Sequence, residues 1–293
     1  MDQHGVTVIG FGEAGRSFAK AGLWFASARV FDVATDDPVH ANDKRVDYAV
    51  AGIRGCNTLA EAVAGARLVL SLVTADQALA AARAVAPLIE SGAIFCDMNS
   101  VAPATKRSAA EAVEGAGGRY VDVAIMSPVE PGRLGAPLLL SGAAADQAAT
   151  ALAGLGFTNI RVVGEEIGQA SAIKMIRSVM VKGIEALTAE CVLAAEEAGV
   201  TAEVLGSLGP DWETKADYNL DRMMIHGLRR AAEMEEVAAT LDALGTGSGM
   251  TQAAIALHRR IGLLDIVMPP EGLTAKIDRI ASEMDKDGKA NAA

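Results

Sequence analysis

The chain has 293 residues, of which 51% are hydrophobic and 22% are charged, and its formal net charge is -11. This composition is typical of a globular protein large enough for two domains, and charges interrupt every apolar run before it reaches membrane-spanning length. The acidic balance disfavours a nucleic-acid partner, because phosphate binding normally requires a basic surface. We therefore expect a small-molecule substrate and no membrane partner. Three scattered cysteines and the absence of a secretory signal favour the cytoplasm.

Short apolar runs alternate with alanine-rich helical segments up to about residue 163. The strand-like runs are 6–9, 28–31, 68–73, 93–96, 120–124 and 159–163, and helical segments between them include 77–89 and 103–113. Strands that alternate with helices form right-handed βαβ crossovers and a mostly parallel sheet. The pattern predicts an α/β Rossmann-type domain, doubly wound, over residues 1–164.

The strand pattern stops after Gly164, and the remainder is helical. The predicted helices are 169–198, 221–244 and 250–261, with breaks at prolines 210, 269 and 270. We therefore predict an all-α domain over residues 165–293. The last residues, from Asp285 onward, are polar and lack apolar periodicity, so we expect an unstructured tail.

A glycine-rich loop follows the first predicted strand and leads into a helical segment. Gly10, Gly12 and Gly15 form the pattern GxGxxG, which lets a pyrophosphate approach the backbone at a helix N-terminus. The pattern alone also fits an ordinary glycine-rich turn. However, the second strand ends at Asp32, where a carboxylate can accept hydrogen bonds from ribose hydroxyls. The combination predicts dinucleotide binding.

Charges around Asp32 bear on which dinucleotide binds. Asp32, Asp36 and Asp37 would repel the 2′-phosphate of NADP, and no arginine follows Asp32 directly. NAD is therefore favoured over NADP. NADP stays possible if a basic residue from elsewhere in the fold lies beside Asp32.

Two further segments, together with the glycine loop, resemble the β-hydroxyacid dehydrogenase family, which includes 3-hydroxyisobutyrate and 6-phosphogluconate dehydrogenases. The segments are Asp97–Pro103 (DMNSVAP), which is similar to the family motif D-x-S-T-x-x-P, and Gly168–Ser178. The resemblance implies that Asn99 and Ser100 lie beside the nicotinamide and the substrate. It also implies that Lys174 is the catalytic lysine. We further expect Val73, at the end of its strand, to contact the cofactor.

The chain departs from the family pattern where the substrate would bind. In the segment similar to D-A-P-V-S-G-G, Met126 replaces the serine, and Ser127 and Pro128 replace the glycines. The asparagine that follows the lysine in the family is Ser178 here, preceded by Arg177. These changes are typical of a less characterised branch whose C-terminal half is described as phosphogluconate-dehydrogenase-like. The residues with which the family holds a substrate carboxylate are therefore the part of its pattern that this chain alters.

Lys174 has two interpretations. It either runs its stem along an apolar surface with its ammonium in water, or it transfers the hydroxyl proton during oxidation. On a helix, Ser171, Lys174 and Ser178 share one face. Ser178 is accordingly either a small packing residue or a substrate ligand, and Arg177 either tunes the lysine or contacts substrate. Ser100 and Ser127 follow strands, where α/β sheets bind ligands.

One face of a later helix gathers His226, Arg229, Arg230 and Glu233 at helical spacing. Its two interpretations are a solvated, salt-bridged face and a clamp for a substrate carboxylate. Neither these residues nor His258 provide a complete set of ligands, so no metal is predicted.

The resulting hypothesis is an NAD-dependent oxidoreductase that interconverts a small β-hydroxy acid and its keto form, with Lys174 as general acid/base. An imine reductase on the same fold is an alternative, because it needs the same cofactor and a proton donor but no carboxylate site. A non-catalytic NAD-binding sensor is the alternative from another class. The resemblance also implies a homodimer.

Overall fold

A computed structural model describes residues 5–290 of the chain. It divides into two compact units, residues 1–174 and residues 175–293. The domain boundary predicted near residue 164 lies about ten residues before this division, and the first turns of the helix Gln169–Glu197 lie between the two. The boundary at residue 164 stays a proposal. The two units are described separately below.

The first unit is built on one eight-stranded sheet. Its strands are β1 (Val6–Ile9), β2 (Arg29–Phe31), β3 (Arg54–Gly55), β4 (Leu68–Ser71), β5 (Ile94–Asp97), β6 (Arg119–Ile125), β7 (Leu138–Ser141) and β8 (Ile160–Gly164). They lie in the order β3-β2-β1-β4-β5-β6-β7-β8. Every neighbouring pair is parallel except β6 and β7. The predicted doubly wound, mostly parallel sheet is confirmed.

Six helices accompany these strands in the first unit. They are α1 (Glu13–Ala21), α2 (Ala41–Ala51), α3 (Leu59–Val63), α4 (Ala78–Val85), α5 (Pro103–Gly115) and α6 (Ala145–Gly154). Successive strand residues face opposite sides of the sheet, so Leu70 packs in one apolar cluster and Val69 in another. Both faces are therefore buried, which explains why the central strands are continuously apolar.

Two strands, β3 and β7, were not predicted from the sequence. β3 has only two residues, both exposed, so it carries no hydrophobic signal. β7 is a buried run of three leucines and a serine, and leucine favours strands less than the β-branched residues do. Its antiparallel pairing with β6 is set by neighbouring strands rather than by its own pattern.

The second unit is helical, as predicted. Helix α7 (Gln169–Glu197) begins in the first unit and continues into the second, followed by α8 (Thr201–Leu208), α9 (Trp212–Ala243), α10 (Gly249–Gly262) and α11 (Leu273–Ala290). The start predicted for α9, Asp221, is wrong, because the helix begins at Trp212. Its early turns contribute the buried Ala216 and Leu220 to the apolar core of this unit.

The predicted tail is also wrong in part. Residues 285–290 are helical, and 291–293 lie outside the described residues. Helix α11 buries Leu273, Ile277 and Ile280, and helix formation propagates from such an anchored start into polar residues. Among the described residues, no helix combines the length and the apolar composition that crossing a membrane would require.

Helices α9 and α10 cross at two glycines. A Cβ built on Gly227 would lie 2.5 Å from the carbonyl oxygen of His258 and 2.7 Å from the backbone nitrogen of Gly262. A Cβ on Gly262 would lie 2.4 Å from the backbone nitrogen of Leu228. The two helix backbones therefore touch at this point, and any side chain would force them apart.

Candidate active site

The glycine loop lies where the strand order of the sheet reverses. β1 is flanked by β2 and β4, so its carboxyl end opens the crevice in which doubly wound sheets bind ligands. Gly10 has a φ of +86°, and a Cβ on it would lie 2.5 Å from the carbonyl oxygen of Leu72. Gly15 packs α1 closely, since its Cβ would lie 3.3 Å from the carbonyl oxygen of Gly10. Gly10 therefore requires glycine for the loop to take this shape, and at Gly15 a side chain would have to displace its neighbours by a few tenths of an ångström.

Gly12 is the N-cap residue of α1, and it has no side chain that could cover the helix N-terminus. No side chain caps the helix, and no atom lies within 4 Å of a Cβ built on Gly12. The first-turn N–H groups are therefore available to an anion, and the helix dipole favours one. The open backbone and uncapped helix fit the pyrophosphate of a dinucleotide.

Asp32 is held beside this loop by backbone hydrogen bonds. Its Oδ2 accepts from the backbone N–H of Phe11 at 2.7 Å, and its Oδ1 accepts from that of Ala34 at 2.9 Å. The carboxylate keeps further lone pairs for ribose hydroxyls. Lys44 does fold in beside it, with Nζ 3.7 Å from Oδ2 and a hydrogen bond of 2.9 Å to the carbonyl oxygen of Phe11. A cation thus stands next to the acid that favours NAD.

Asn99 connects the loops that follow β4 and β5. Its Oδ1 accepts from the backbone N–H of Val73 at 2.7 Å, and its Nδ2 donates to Ser71 Oγ at 3.0 Å and to Asp97 Oδ1 at 2.8 Å. The amide is therefore engaged within the protein, and it holds Val73 next to Gly10. The cofactor contacts of Asn99 and Val73 stay predictions.

Lys174 and Ser100 meet across a long sequence separation. Ser100 follows β5, and Lys174 lies in α7 two turns after Gly168. The Nζ of Lys174 donates to Ser100 Oγ at 2.5 Å, and both side chains are partly buried. The structure therefore brings the predicted proton-transfer residue to a predicted substrate residue.

Lys106, Asp97 and Asp122 form a cluster of three buried charges. Lys106 is fully buried, with Nζ 2.9 Å from Asp97 Oδ1 and 3.4 Å from Asp122 Oδ1, and it also donates to the carbonyl oxygen of Asp97 at 2.7 Å. The Tyr120 hydroxyl donates to Asp97 Oδ2 at 2.6 Å. Burial and the charge of Asp97 raise the pKa of Tyr120 well above its ordinary value, so this hydroxyl keeps its proton.

Sequence reasoning missed Lys106 as a functional residue. One signal was present, because Lys106 lies in the first turn of α5, after Pro103. The helix dipole disfavours a cation at that end, so a lysine there calls for a compensating anion. The first turn of α7 supplies another missed contact, since Ser171 donates from its backbone N–H and its hydroxyl to Asp122, at 2.9 Å and 2.6 Å.

The residues of the altered substrate segment have separate environments. Ser127 follows β6, is exposed, and donates from its hydroxyl to the carbonyl oxygen of Pro128 at 2.9 Å. Met126 packs against the small apolar cluster that includes Ala124 and Ala170. β5 and β6 are parallel neighbours, so Ser100 and Ser127 follow carboxyl ends on one edge of the sheet. Substrate contacts by Ser100 and Ser127 stay predictions.

Arg177 and Ser178 belong to the second unit, on the continuation of α7. Ser178 is 7% exposed, whereas Arg177 is exposed. Their predicted substrate contacts remain predictions.

The charged face of α9 divides into two parts. Arg229 pairs with Glu233 at 3.0 Å, and Glu233 also binds Lys182 at 2.8 Å. Arg230 is buried and pairs with Glu185 at 2.8 Å, so a solvated face is the wrong interpretation for this residue. Burial raises the pKa of Glu185 to about 6. Residues 5–290 contain no group of three potential metal ligands, and the absence of a metal remains a prediction.

Comparison with known proteins gives two family matches. Residues 5–158 match the family described as the NAD binding domain of 6-phosphogluconate dehydrogenase, and residues 195–261 match a domain of unknown function. An uncharacterized 28.5 kDa protein of Methanothermus fervidus is 29% identical over 149 residues, which are 49% of this chain. The match spans 56% of the length of that curated relative.

Two similar solved structures cover most of the chain. A conserved hypothetical protein from Sinorhizobium meliloti 1021 is 36% identical, with a TM-score of 0.77 over 95% of this chain and 96% of that one. A conserved protein of unknown function, reported as similar in structure to 3-hydroxyacid dehydrogenases, is 31% identical, with a TM-score of 0.70 over 87% and 96% of the two chains.

More distant structures share the fold. The 3-hydroxyisobutyrate dehydrogenase of Mycobacterium tuberculosis is 16% identical, with a TM-score of 0.72 over 93% of this chain and 97% of that one. A Streptomyces aurantiacus imine reductase is 20% identical, with a TM-score of 0.53 over 93% and 98%. At these identities the likeness concerns the fold alone.

Proposed function

The chain belongs to the β-hydroxyacid dehydrogenase-like family and is an NAD(P)-dependent oxidoreductase, and on this premise we propose that it interconverts a small β-hydroxy acid and its keto form. The observation that carries the proposal is the hydrogen bond from Lys174 to Ser100. It supports the proposal because it joins Lys174, the candidate proton-transfer residue, to the loop that follows β5, at the end of the sheet where doubly wound folds bind their ligands.

The roles of the residues follow from the chemistry of alcohol oxidation. A dinucleotide held by the glycine loop and Asp32 would supply the hydride acceptor for the carbon that carries the hydroxyl. Lys174 in its neutral form takes the hydroxyl proton at Nζ, and in the reverse direction its ammonium returns that proton. Ser100, as the partner of Nζ, orients the lysine and offers a second hydrogen bond to the same substrate oxygen.

The cofactor site favours NAD in this proposal. Gly12 and the open N-terminus of α1 receive the pyrophosphate, and Asp32 receives the ribose hydroxyls. The carboxylate of Asp32 repels a 2′-phosphate, whereas the ammonium of Lys44 beside it weakens that repulsion. We therefore propose a preference for NAD that leaves measurable activity with NADP.

Imine reduction is the second candidate. It is favoured by Met126, which stands where the family has a substrate-binding serine and packs in an apolar cluster instead. A substrate without a carboxylate needs no such serine, and Lys174 would still supply the proton. The same donor and the same cofactor site thus serve either substrate class.

A substrate panel tests the proposal and separates the two candidates. The full chain is assayed with NAD and NADP against 3-hydroxyisobutyrate, 3-hydroxypropionate and 3-hydroxybutyrate. In the reductive direction, NADH and NADPH are tested with 1-pyrroline and 2-methyl-1-pyrroline. We expect turnover of hydroxy acids. Turnover of the imines alone supports the second candidate, and NADH binding without turnover of any compound supports the non-catalytic sensor.

We also propose a homodimer in a reducing compartment. Helix α7 exposes large apolar side chains at helical spacing on one face, and they are Ile176, Met180, Ile184 and Leu187. A second copy of the chain would cover them. All three cysteines are free, which is consistent with the cytoplasm. Light scattering tests the dimer, since Met180→Glu with Leu187→Glu should give monomers.

A further inference from the structure

A buried acid fixes the loop that carries Ser100. Asp97 ends β5, and its Oδ1 accepts from the backbone N–H of Asn99 at 3.0 Å and from the Asn99 side chain at 2.8 Å. Its Oδ2 accepts from Tyr120. Ser100 is covalently the next residue after Asn99, so the position of its hydroxyl follows from that of Asp97.

A second buried acid fixes the turn that carries Lys174. Asp122 lies in β6 beside Asp97, and it accepts both the backbone N–H and the hydroxyl of Ser171. Ser171 lies one helical turn before Lys174 and on the same face of α7. The position of the lysine therefore follows from that of Asp122.

Lys106 joins the two acids and thereby closes a ring. Its ammonium contacts both carboxylates, and its own side chain is fully buried. From Ser100 the ring runs along the chain to Asn99 and then through Asp97, Lys106, Asp122 and Ser171 to Lys174, and the hydrogen bond between Lys174 and Ser100 completes it. All of its members lie in the first unit.

The ring is stiff for electrostatic reasons. One cation lies between two anions without access to water, and interactions between charges are strong in such a medium. Moving either acid away from Lys106 would leave a buried charge without its partner. A lysine stem, by contrast, is flexible by itself, and a small misplacement of a reacting group slows a reaction strongly.

We propose that Lys106 is a positioning residue, which sets the distance between Ser100 and Lys174 by holding Asp97 and Asp122 together. The expected effect on turnover rests on the proposed function of Lys174, whereas the expected coupling of the two segments that carry Ser100 and Lys174 does not. Weakening the ring should lower turnover more than cofactor binding, because the glycine loop and Asp32, which hold the pyrophosphate and the ribose in the proposal, lie outside the ring.

Two variants weaken the ring at different links. Ser171→Ala removes the hydroxyl hydrogen bond to Asp122 and keeps the one from the backbone N–H. Lys106→Met combined with Asp122→Asn removes the bridging cation and one anion, so the buried net charge is unchanged. Thr7→Val is the matched control, because Thr7 is fully buried and loses a comparable hydrogen bond, 2.6 Å to the carbonyl oxygen of Ala62, outside the ring.

The experiment has a structural and a kinetic measurement on the full chain. Hydrogen–deuterium exchange of the ligand-free protein should accelerate in both segments 97–103 and 169–174 for each ring variant, and in neither for the control. With 3-hydroxyisobutyrate and NAD as the probe, kcat should fall about 10-fold or more in the ring variants, and KM and the Kd for NADH should change by a smaller factor than kcat.

The outcomes separate the two proposals. Exchange that accelerates only in 169–174 for Ser171→Ala overturns the positioning role, as does an unchanged kcat or an equal loss of kcat in Thr7→Val. If the charge-matched variant does not fold, Ser171→Ala decides alone. If the wild type does not turn over the probe, the proposed function fails for that acid, and the exchange measurement still decides whether the ring couples the two segments.

Discussion

Lys174 donates a hydrogen bond from Nζ to the Oγ of Ser100 at 2.5 Å, although 74 residues separate the two. A lysine that only covers apolar surface would direct its ammonium into water. Here the ammonium donates to the hydroxyl of Ser100, on the loop that follows β5. The contact favours the proton-transfer interpretation of Lys174 over the surface interpretation.

Lys174→Ala should reduce kcat by about 10² to 10⁴-fold, because it removes the group that exchanges the proton with substrate. Binding of NADH should be unchanged, since the variant keeps the glycine loop and Asp32, which are the residues predicted to hold the dinucleotide. Steady-state kinetics and NADH fluorescence titration measure the two effects. Lys215→Ala, at an exposed lysine of α9, is the control. Activity of Lys174→Ala within a few-fold of wild type would contradict the assignment.

Asp32→Ser should shift the cofactor preference toward NADP. The variant loses the anion that repels the 2′-phosphate and keeps the ammonium of Lys44 nearby, so the ratio of kcat/KM for NADP to that for NAD should rise about 10-fold or more. Adding Lys44→Met should remove most of the gain. A ratio that does not move in Asp32→Ser would show that this carboxylate does not face the ribose.

Gly227→Ala and Gly183→Ala should have opposite effects on stability. At Gly227 a Cβ would collide with backbone of α10, and overpacking of this kind costs about 1–3 kcal/mol. At Gly183, in α7, no atom lies within 4 Å of the added Cβ, so alanine should stabilise by up to about 1 kcal/mol through helix propensity. Urea unfolding measures both. Equal midpoints for the two variants would contradict the close crossing of α9 and α10.

His258 should make stability depend on pH between about 4 and 6.5. Its Nε2 is 3.0 Å from the carbonyl oxygen of Lys182, and burial lowers its pKa to about 4, so it is neutral in the fold. The unfolded chain takes up a proton below pH 6.5 and the folded one does not. Stability is therefore present above pH 6.5 and is lost as pH falls, by about 2 kcal/mol between pH 7 and pH 5.

Comparing wild type with His258→Gln isolates this contribution. Glu185 acts in the opposite sense, because its raised pKa makes the fold gain stability as pH falls through about 6, but it is present in both proteins. Between pH 7 and pH 5, the free energy of unfolding should therefore fall by about 2 kcal/mol more in wild type than in the variant. An identical pH dependence in the two proteins would show that His258 titrates normally.

Local patterns were sufficient to predict the glycine loop of the first unit, between β1 and α1. The strand, the three glycines and Asp32 lie within one βαβ segment, so their spacing is read directly from the sequence. The predicted all-helical second half is confirmed for the same reason, since apolar periodicity extends over long segments. The start of α9 was placed too late because residues 212–220 are rich in polar side chains, and tertiary packing decides their structure.

The buried ring could not be predicted, because its contacts join separate elements. Lys106 reads as an ordinary polar residue of an alanine-rich helix, and only the fold shows that both Asp97 and Asp122 face it. The pairing of Arg230 with Glu185 has the same origin, since it joins α9 to α7. Strand β7 shows the corresponding limit for the sheet, because a short leucine run does not specify its own pairing direction.

The division of α7 between the two units assigns the candidate proton-transfer residue to the first unit. Lys174 is the last residue of the first unit, and every contact that we assign to its placement comes from that unit. The first unit therefore contains both the candidate proton-transfer residue and the hydrogen bonds by which we propose that it is positioned, so a change that disturbs this arrangement can arise within the nucleotide-binding unit alone.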